Sequence, residues 1–583
     1  VGRTRRSRER EQGGEEGGPV FLSEMGGLRP GFVAGGGKDE KIESALYARI
    51  SQQTFDEAVQ ENMDDLEMGP DEALQDAIEQ FTSQGINLSN IVKRVPGADP
   101  EEDPEPIKLS RKLVEQLGEL DNEASEEIMF GSGMMRLTFV TGEAQAAHAI
   151  GETAAALKKE LQKHEDATTL AGANGAVDSL VSAALSLLRT EDAAPLVHVL
   201  ECLTVLLMDA ENRERLGIRG CAALCIVART HASNGAQLRA CFQAMRATML
   251  VHEQHRQTLV KSGCVLKLAI DAMREHGKEK GWKEPGALLA ACGVVRATTL
   301  ADDARARTSK GHEHAKAAVD LGALPLLLDA ARSSLASSPG PLSELLATLS
   351  RLTVTDQICQ QLAKMDALRL AITELANHVM DAQVAKQACF FLANISGNDK
   401  CKEQIREGHG HIAIVQAMLL HSNVGTMQVD AVSALGNMAL RMPENCTAIA
   451  EAGGIPAIVH ALGQHINMPR MQSKACLAIR NLVGRNEELR QPILDAGAEA
   501  SIRAVMNAHT DDYMHNLAKA ALRDLHCNVQ LGVVFTGEVG EAKTLEQGDM
   551  NGENHWDKFL ETPEAQEAAR AEFAALGLEM END

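Results

Sequence analysis

The chain has very few aromatic residues. They make up 3% of its 583 residues, with two Trp and two Tyr. Because β-sheets favour aromatic and β-branched side chains, this scarcity disfavours a sheet-based core. Ala, Leu and Met are plentiful, and these residues favour helices. Since hydrophobic residues make up 44% of the chain, the composition predicts a core of closely packed helices.

Long apolar runs are also lacking. No segment approaches the roughly 20 apolar residues of a membrane-spanning helix, and no secretory signal is visible. The 12 cysteines form no disulfide framework, and four recur in an Ala-Cys pair at matching places, as buried small residues do: Cys241, Cys292, Cys389 and Cys476. We therefore expect a soluble protein of a reducing compartment, the cytosol with the nucleus as a second location.

Positive charge is in deficit, since the formal net charge is −25. An acidic protein repels phosphate backbones, which disfavours general binding of nucleic acid. Its field would attract basic segments of other proteins, although surface charges are screened beyond about 10 Å. We expect a monomer that binds protein partners and neither nucleic acid nor membrane.

Motifs for catalysis and metal binding are missing as well. The stretch "GFVAGGGKDE" resembles a phosphate-binding loop but lacks its first Gly and its final Ser or Thr. No Cys or carboxylate spacing completes a metal site around the histidine pairs His252–His255, His312–His314 and His409–His411. The sequence predicts no enzyme activity, no cofactor and no metal.

A repeat is the dominant positive feature. A small residue precedes an apolar helix again and again, at spacings of 43 to 45 residues apart from one of 59. Such a period is typical of armadillo and HEAT repeats, and glycine can turn the chain between a first and a second helix. The positions are Gly175, Gly220, Gly263, Gly322, Asp366, Gly410, Gly454 and Gly497.

A third helix follows in each repeat, with its clearest copies in "ACFFLANIS", "AVSALGNMA" and "ACLAIRNLV". Apolar residues at three- and four-residue intervals would bury one face of it between neighbouring repeats. The glycine turn, second helix and Asn-bearing third helix resemble the armadillo family. The prediction is an all-α, right-handed armadillo/HEAT-type α-solenoid superhelix.

Five segments follow from the pattern. Residues 1–45 form a disordered Gly/Arg/Glu-rich tail, and residues 48–95 a helical hairpin with too little core to stand alone. Residues 96–110 read as an acidic, proline-rich linker. The solenoid of about eight repeats spans 111–535, and 536–583 is an acidic tail with one short helix-like stretch.

One position per third helix should face the concave side of the solenoid. In the C-terminal half it carries polar residues, and adjacent arginines would favour carboxylates in a ligand. Asn amides in a row can bond the backbone of an extended peptide. Alternatively, they bond their own protein and stabilise the repeats. The candidate residues are Arg351, Asn394, Asn437, Arg480, Asn481, Arg523 and Asp524.

The long spacing of 59 residues contains two insertions, "REHGKEKGWKEPG" and "LADDARARTSKGHEHAK". Lengthened loops usually lie on the surface and often carry function. Trp282 in the first insertion is therefore a candidate partner contact. The alternative is a tolerated insertion without a function.

Beyond the repeat, the chain resembles the armadillo repeat-containing protein 6 family in "ISQQTFDEAVQENMDDLEMGPDEALQDAIEQFTSQGINLSNIVK", "HEQHRQTLVK" and "ILDAGAEA". The resemblance implies an adaptor without assigned enzymatic activity. Within the wider armadillo family, the Asn array resembles that of nuclear-import receptors and catenins, but the Trp residues of import receptors are replaced here by Phe390, Ser433 and Leu477.

Two functional hypotheses remain. The first is a cytosolic scaffold that binds extended peptide segments along the concave side. It predicts that alanine at Asn394, Asn437 and Asn481 leaves the thermal melt nearly unchanged but weakens partner capture. The second is a nuclear transport-type cargo receptor, for which the basic run at Arg3–Arg10 is a poor carrier-binding segment.

Overall fold

The computed structural model describes residues 49–99, 103–130, 133–164, 166–261, 265–279, 285–535 and 542–546. The N-terminal tail, Gly263, Trp282 and most of the C-terminal tail lie outside the described residues. Four helices and a β-hairpin precede the first complete repeat: α1 (Gln52–Asp64), α2 (Pro70–Ser83), α3 (Glu105–Gly118), β1 (Asn122–Phe130), β2 (Gly133–Thr141) and α4 (Ala144–Leu161).

Eight repeats of first, second and third helix follow, and repeat 2 fuses its first two helices. They are α5 (Ala167–Ala173), α6 (Ala176–Ser186), α7 (Ala194–Leu206); α8 (Ala210–Thr230), α9 (Gly235–Thr248); α10 (Glu253–Lys261), α11 (Val265–Ala272), α12 (Gly286–Thr298); α13 (Gly311–Asp320), α14 (Ala323–Ala331), α15 (Pro339–Leu352); α16 (Asp356–Lys364), α17 (Ala367–Asn377), α18 (Ala382–Ile395); α19 (Asp399–Glu407), α20 (Gly410–Leu420), α21 (Gly425–Ala439); α22 (Pro443–Glu451), α23 (Gly454–Gln464), α24 (Pro469–Val483); α25 (Arg490–Asp495), α26 (Ala498–Ala508) and α27 (Asp512–Asp524). A π-helical segment, Met273–Glu279, extends α11 into the first insertion.

The third helices stack on one another in a single layer, from α4 through α7, α9, α12, α15, α18, α21 and α24 to α27. One continuous hydrophobic core runs through the repeats. It contains the four Ala-Cys cysteines, which are fully buried as predicted. The fold is mostly helical and is the predicted armadillo-type α-solenoid, in which each repeat buries its apolar face against its neighbours.

The turn between first and second helix requires a left-handed residue, and the structure corrects its position in three repeats. The left-handed residues there are Gly217, His409 and Gly453, not Gly220, Gly410 and Gly454. Gly410 and Gly454 instead begin second helices so close to the first that a Cβ would lie 2.6 and 2.5 Å from an isoleucine methyl group. These two glycines are therefore required by packing and not by backbone angle.

The N-terminal hairpin α1–α2 has a small hydrophobic cluster of its own. Phe55 and Val59 of α1 pack against Ala73 and Ala77 of α2, apart from the main core. Gln52 closes the unit, because its side-chain amide donates to the Val92 carbonyl at 3.0 Å and accepts from the Val92 N–H at 2.7 Å.

The predicted linker 96–110 is wrong at its C-terminal end, since α3 begins at Glu105. Pro104 and Pro106 fit here because the first turn of a helix needs no internal N–H donor. Asp103 is buried and accepts hydrogen bonds from Arg94 at 2.7 Å and Arg111 at 2.6 Å. A buried, doubly paired carboxylate fixes this segment to α3, so it is not an extended linker.

A β-hairpin interrupts the predicted solenoid before the first complete repeat. Strands β1 and β2 pair antiparallel in continuous register, with Phe130 opposite Gly133. Ile128, Phe130, Leu137 and Phe139 are buried in the main core. At the other end of the array, β3 (Gln530–Phe535) pairs with β4 (Ala542–Glu546), so a strand lies within the predicted tail 536–583.

Candidate functional site

The three predicted asparagines occupy equivalent places on α18, α21 and α24. Each donates its side-chain amide to a backbone carbonyl of the preceding third helix. Asn394 donates to Ser350 at 3.0 Å, Asn437 to Ala393 at 2.9 Å, and Asn481 to Gly436 at 2.9 Å. We call the side of α15, α18, α21, α24 and α27 that carries these residues the Asn face.

The acceptors of these hydrogen bonds explain why the amides are there. Each carbonyl belongs to the last turn of a third helix, where the final four carbonyls have no partner within the helix. An amide from the next repeat satisfies one of them. Because the three side chains are half-buried, each keeps a second N–H and its oxygen toward solvent.

The Asn face ends in an ion pair at the last repeat. Nε of Arg480 lies 2.8 Å from a carboxylate oxygen of Asp524, and Arg523 contacts the other oxygen at 2.8 Å. These three predicted contacts for a partner are therefore already engaged with one another. Their charges are partly exposed, so the pairing contributes little stability, on the order of 0–1 kcal/mol per pair.

Arg351 begins the Asn face in repeat 4. Its guanidinium lies 5.7 Å from the ring centroid of Phe390, in cation–π geometry. Burial, followed by repulsion from Arg296 and Arg470, lowers the pKa of Arg351. Arg351 forms no ion pair with a described acidic side chain.

The N-terminal repeats differ at the same position. Ala247 and Ala297 are buried there and offer no hydrogen bond. The link between repeats 3 and 4 comes from Arg296, which donates to the Glu344 carbonyl at 3.0 Å and pairs with the Glu344 carboxylate. Hydrogen bonds from this position of the third helices are thus concentrated in the C-terminal half.

The second insertion is held firmly against repeats 2 and 3. Asp303 accepts from the Glu253 N–H at 2.9 Å at the start of α10, and Asp302 lies 2.6 Å from Arg256. Arg256 is completely buried and also contacts Glu253 at 2.9 Å. Burial opposes ionisation of Asp303, but hydrogen bonds from Arg305 and Glu253 lower its pKa to about 2. We call this loop, residues 300–310, the clasp.

The histidine pairs of the sequence have structural surroundings. The rings of His252 and His255 stack with centroids 3.6 Å apart, and burial, with His252 beside it, lowers the pKa of His255 to about 4. His314 is buried with its Nδ1 2.8 Å from the Thr298 carbonyl. Within the described residues, no group of three or more His, Cys, Asp or Glu side chains could hold a metal ion.

A second series of contacts between repeats was missed by the sequence analysis. At the end of each second helix in repeats 5 to 8, a histidine donates Nε2–H to a carbonyl in the preceding repeat. We call it the histidine ladder: His378 to Ala336 at 2.8 Å, His421 to Val379 at 2.7 Å, His465 to Ser422 at 2.8 Å and His509 to Ile466 at 2.7 Å. Successive histidines of the ladder lie 43 or 44 residues apart, and this spacing was visible in the sequence.

An open cleft of about 960 Å³ lies apart from the Asn face, beside β2, α4 and the α6–α7 loop. Its charged lining is mixed, with Glu152, Arg189, Glu191 and Asp192. Because its lining carries both signs of charge and no row of equivalent side chains from successive repeats, the cleft does not compete with the Asn face as the candidate site. Elsewhere in the described part of the chain, no single helix meets the length and apolarity of a membrane span; α22 and α23 do so together, but they are bent by 78°.

Stacked helical triplets with a ladder of third-helix amides define an armadillo-type repeat protein, a class of protein-interaction solenoids that are typically not enzymes. A family model described as ARMC6 matches residues 139–544, and one for the armadillo repeat-containing protein 6 N-terminal domain matches residues 47–108. The chain belongs to the armadillo repeat-containing protein 6 family.

Relatives agree with this assignment. Armadillo repeat-containing protein 6 of Homo sapiens is 34% identical over 419 residues, which cover 69% of this chain and 76% of the relative. The Drosophila melanogaster homolog is 27% identical over 411 residues, covering 69% and 80%.

Solved structures with a similar fold have low sequence identity. An engineered protein matches 72% of this chain and 99% of its own, with 18% identity and a TM-score of 0.46. A designed armadillo repeat protein in complex with the peptide (KR)4 covers 45% of this chain and 99% of its own, with 20% identity and a TM-score of 0.36.

Proposed function

We propose that this protein is a cytosolic interaction scaffold that binds an extended peptide segment of a partner along the Asn face. The observation that carries the proposal is the row of Asn394, Asn437 and Asn481. One N–H of each amide is fixed on the preceding helix, which orients the remaining N–H and oxygen in the same way in three successive repeats.

Preorganisation is what makes such a row useful for binding. Side chains that are already held lose little conformational freedom when a ligand arrives. Packed helix axes lie about 8–10 Å apart, a distance spanned by about three residues of extended chain. A peptide lying across the third helices would therefore meet one amide every few residues, and each bond would contribute about 0.5–1.5 kcal/mol.

A test must block the Asn face without removing the hydrogen bonds between repeats. Ser433→Trp does this, because Ser433 is half-buried and lies one turn before Asn437. Among the described residues its side chain bonds only within its own helix, to the Val429 carbonyl. The matched control is Gln416→Trp, at an exposed position on the second helix α20 of the same repeat.

The readout is selection from a displayed library of random peptides by the purified full-length chain. We expect enriched peptides to bind the wild type and Gln416→Trp alike, and to lose about tenfold or more in affinity for Ser433→Trp. Equal binding to both Trp variants would place the peptide elsewhere and end the proposal, provided that circular dichroism shows both to be folded.

A further inference from the structure

A group of positive side chains lies on the Asn face of repeats 4 to 7. Lys386 lies two turns before Asn394 on α18, and Lys474 and Arg470 lie two and three turns before Asn481 on α24. Residues at such intervals share one side of a helix. Together with Arg351 we call them the cationic patch.

Asp430 of α21 shows that these side chains converge. Its carboxyl is only 7% exposed and accepts no hydrogen bond within the described part of the chain. Burial raises its pKa to about 6, against the opposing effect of Arg470, Lys386, Arg351 and Lys474. All four cations thus act on one carboxyl group at the centre of the face.

The positive charges of the cationic patch lack acidic partners, in contrast to the arginines at its two flanks. Arg351, Lys386 and Arg470 form no ion pair with a described acidic side chain, whereas Arg296 is paired with Glu344 and Arg480 with Asp524 at the two flanks. Arg351, Lys386 and Arg470 therefore face one buried carboxyl, in a chain whose net charge is −25. Phe390 holds the Arg351 guanidinium in place without using its N–H donors, so they are available to an anion.

We propose that the patch binds carboxylates, so that the Asn face takes an extended acidic segment of a partner protein. This inference rests on the proposed function and deepens it. Side-chain carboxylates of the segment would meet Arg351, Lys386, Arg470 and Lys474, while its backbone bonds Asn394, Asn437 and Asn481. A nucleic acid fits less well, because a long polyanion would also meet the field of an acidic protein, and Phe390 is the one aromatic group on this part of the face for bases to stack on.

The length of the ligand follows from the geometry. Three helix-to-helix steps from α15 to α24 span about 30 Å, which about nine or ten residues of extended chain would cover. The probe is therefore a fluorescein-labelled peptide of about ten residues with alternating Glu and Ala. Peptides of the same length with Lys or Gln in place of Glu test the sign of the charge, and a single-stranded oligonucleotide tests the other polyanion.

The decisive variant is Lys386→Glu with Arg470→Glu in the full-length chain. Neither side chain has a hydrogen bond to another described residue, and Arg470 is exposed. The control is Lys364→Glu with Lys400→Glu, which changes the net charge equally at exposed positions on the first helices α16 and α19. Asp430→Asn is the converse variant, because it removes the negative charge inside the patch.

Fluorescence anisotropy should show the Glu peptide binding the wild type and losing about tenfold or more in affinity for Lys386→Glu/Arg470→Glu. The control pair should change affinity by less than about twofold, since exposed charges act weakly through salt. Asp430→Asn should tighten binding, and Ser433→Trp should abolish it.

Three outcomes would overturn the inference. They are equal effects of the two charge-reversed pairs, binding of the Lys peptide as tight as that of the Glu peptide, and an oligonucleotide that competes at similar concentration. A requirement to delete residues 547–583 before the peptide binds would assign the patch to the chain's own acidic tail. If the selected library peptides bind the Asn face without being acidic, this inference alone fails. If no peptide binds in a way that Ser433→Trp weakens, the proposed function fails as well.

Discussion

Replacing Asn394, Asn437 and Asn481 together by alanine removes three hydrogen bonds, each of which joins the third helices of successive repeats. The carbonyls left behind belong to Ser350, Ala393 and Gly436 in the last turns of α15, α18 and α21, and these three residues are buried. A neutral hydrogen bond of this kind contributes about 0.5–1.5 kcal/mol net. The triple variant should therefore lose about 1.5–4.5 kcal/mol in free energy of unfolding.

The sequence analysis, on the peptide-binding hypothesis, predicted that the triple variant keeps a nearly unchanged thermal melt. The hydrogen bonds seen in the structure predict a loss of stability instead. The loss should fall on the interfaces between repeats 4 and 7, because stability in a repeat array is shared between nearest neighbours. Partner binding in the triple variant would weaken both because contacts to the peptide are lost and because the repeats are less firmly joined. Ser433→Trp is therefore the cleaner test of binding.

Urea denaturation followed by circular dichroism measures the effect, and amide hydrogen exchange locates it in α18, α21 and α24. The matched control is Asn516→Ala on α27, an exposed asparagine without a side-chain hydrogen bond among the described residues. The control should stay within about 0.5 kcal/mol of the wild type. If the triple variant unfolds at the same urea concentration as the control, the amides do not hold the repeats together.

The other predictions concern the histidine ladder, the clasp and the buried carboxyl. His421→Ala should cost about 1 kcal/mol in urea denaturation, whereas His421→Gln, which keeps a donor, should recover part of it; equal losses would contradict the ladder. Asp302→Ala should cost about 3 kcal/mol, because it removes a partner of the buried Arg256, and an unchanged melt would contradict the clasp. The pKa of Asp430 is about 6 in the folded protein and 3.8 as the ordinary value. Ionisation of this carboxyl therefore lowers the free energy of unfolding by on the order of 3 kcal/mol as pH rises from 4 to 6, with no further change above pH 6. The pH profile of Asp430→Asn should lack this fall.

The repeat and its Asn positions could be predicted because both depend on regular spacing. Equivalence of Asn394, Asn437 and Asn481 followed from apolar residues at three- and four-residue intervals, and the structure places all three on the same kind of carbonyl in the preceding repeat. What the alignment could not decide is whether an amide faces its own protein or a ligand. An asparagine side chain has enough donors and acceptors to do both.

The turn residues were misplaced for a different reason. Glycine is required in some places because only it accepts a left-handed backbone, and in others because no Cβ fits. Gly453 and Gly454 are adjacent and illustrate one reason each. At the same turn in repeat 6, His409 is left-handed and Gly410 is tightly packed. A sequence pattern that records glycine alone cannot separate these two requirements.

Local sequence patterns could not predict contacts between residues that are far apart in the chain. The clasp joins Asp302 to Arg256 across 46 residues, and the insertion that contains it looked like a loop with a free surface. The histidine ladder was missed because each histidine was judged alone, although His421, His465 and His509 recur with the period of the repeat. Trp282, the predicted contact of the first insertion, lies outside the described residues and stays a prediction.

The asparagine hydrogen bonds and the histidine ladder together affect how the Asn face would bind a peptide. Asn437 bonds the preceding repeat at the end of a third helix, and His421 bonds it at the end of a second helix. Two separated bonds per interface restrain rotation of one repeat against the next more than either alone. The spacing of amides and cations on the Asn face is then set before a ligand arrives, which favours affinity because less freedom is lost on binding. In repeats 2 and 3 buried alanines replace the amides, so we expect peptide binding to end near Arg351.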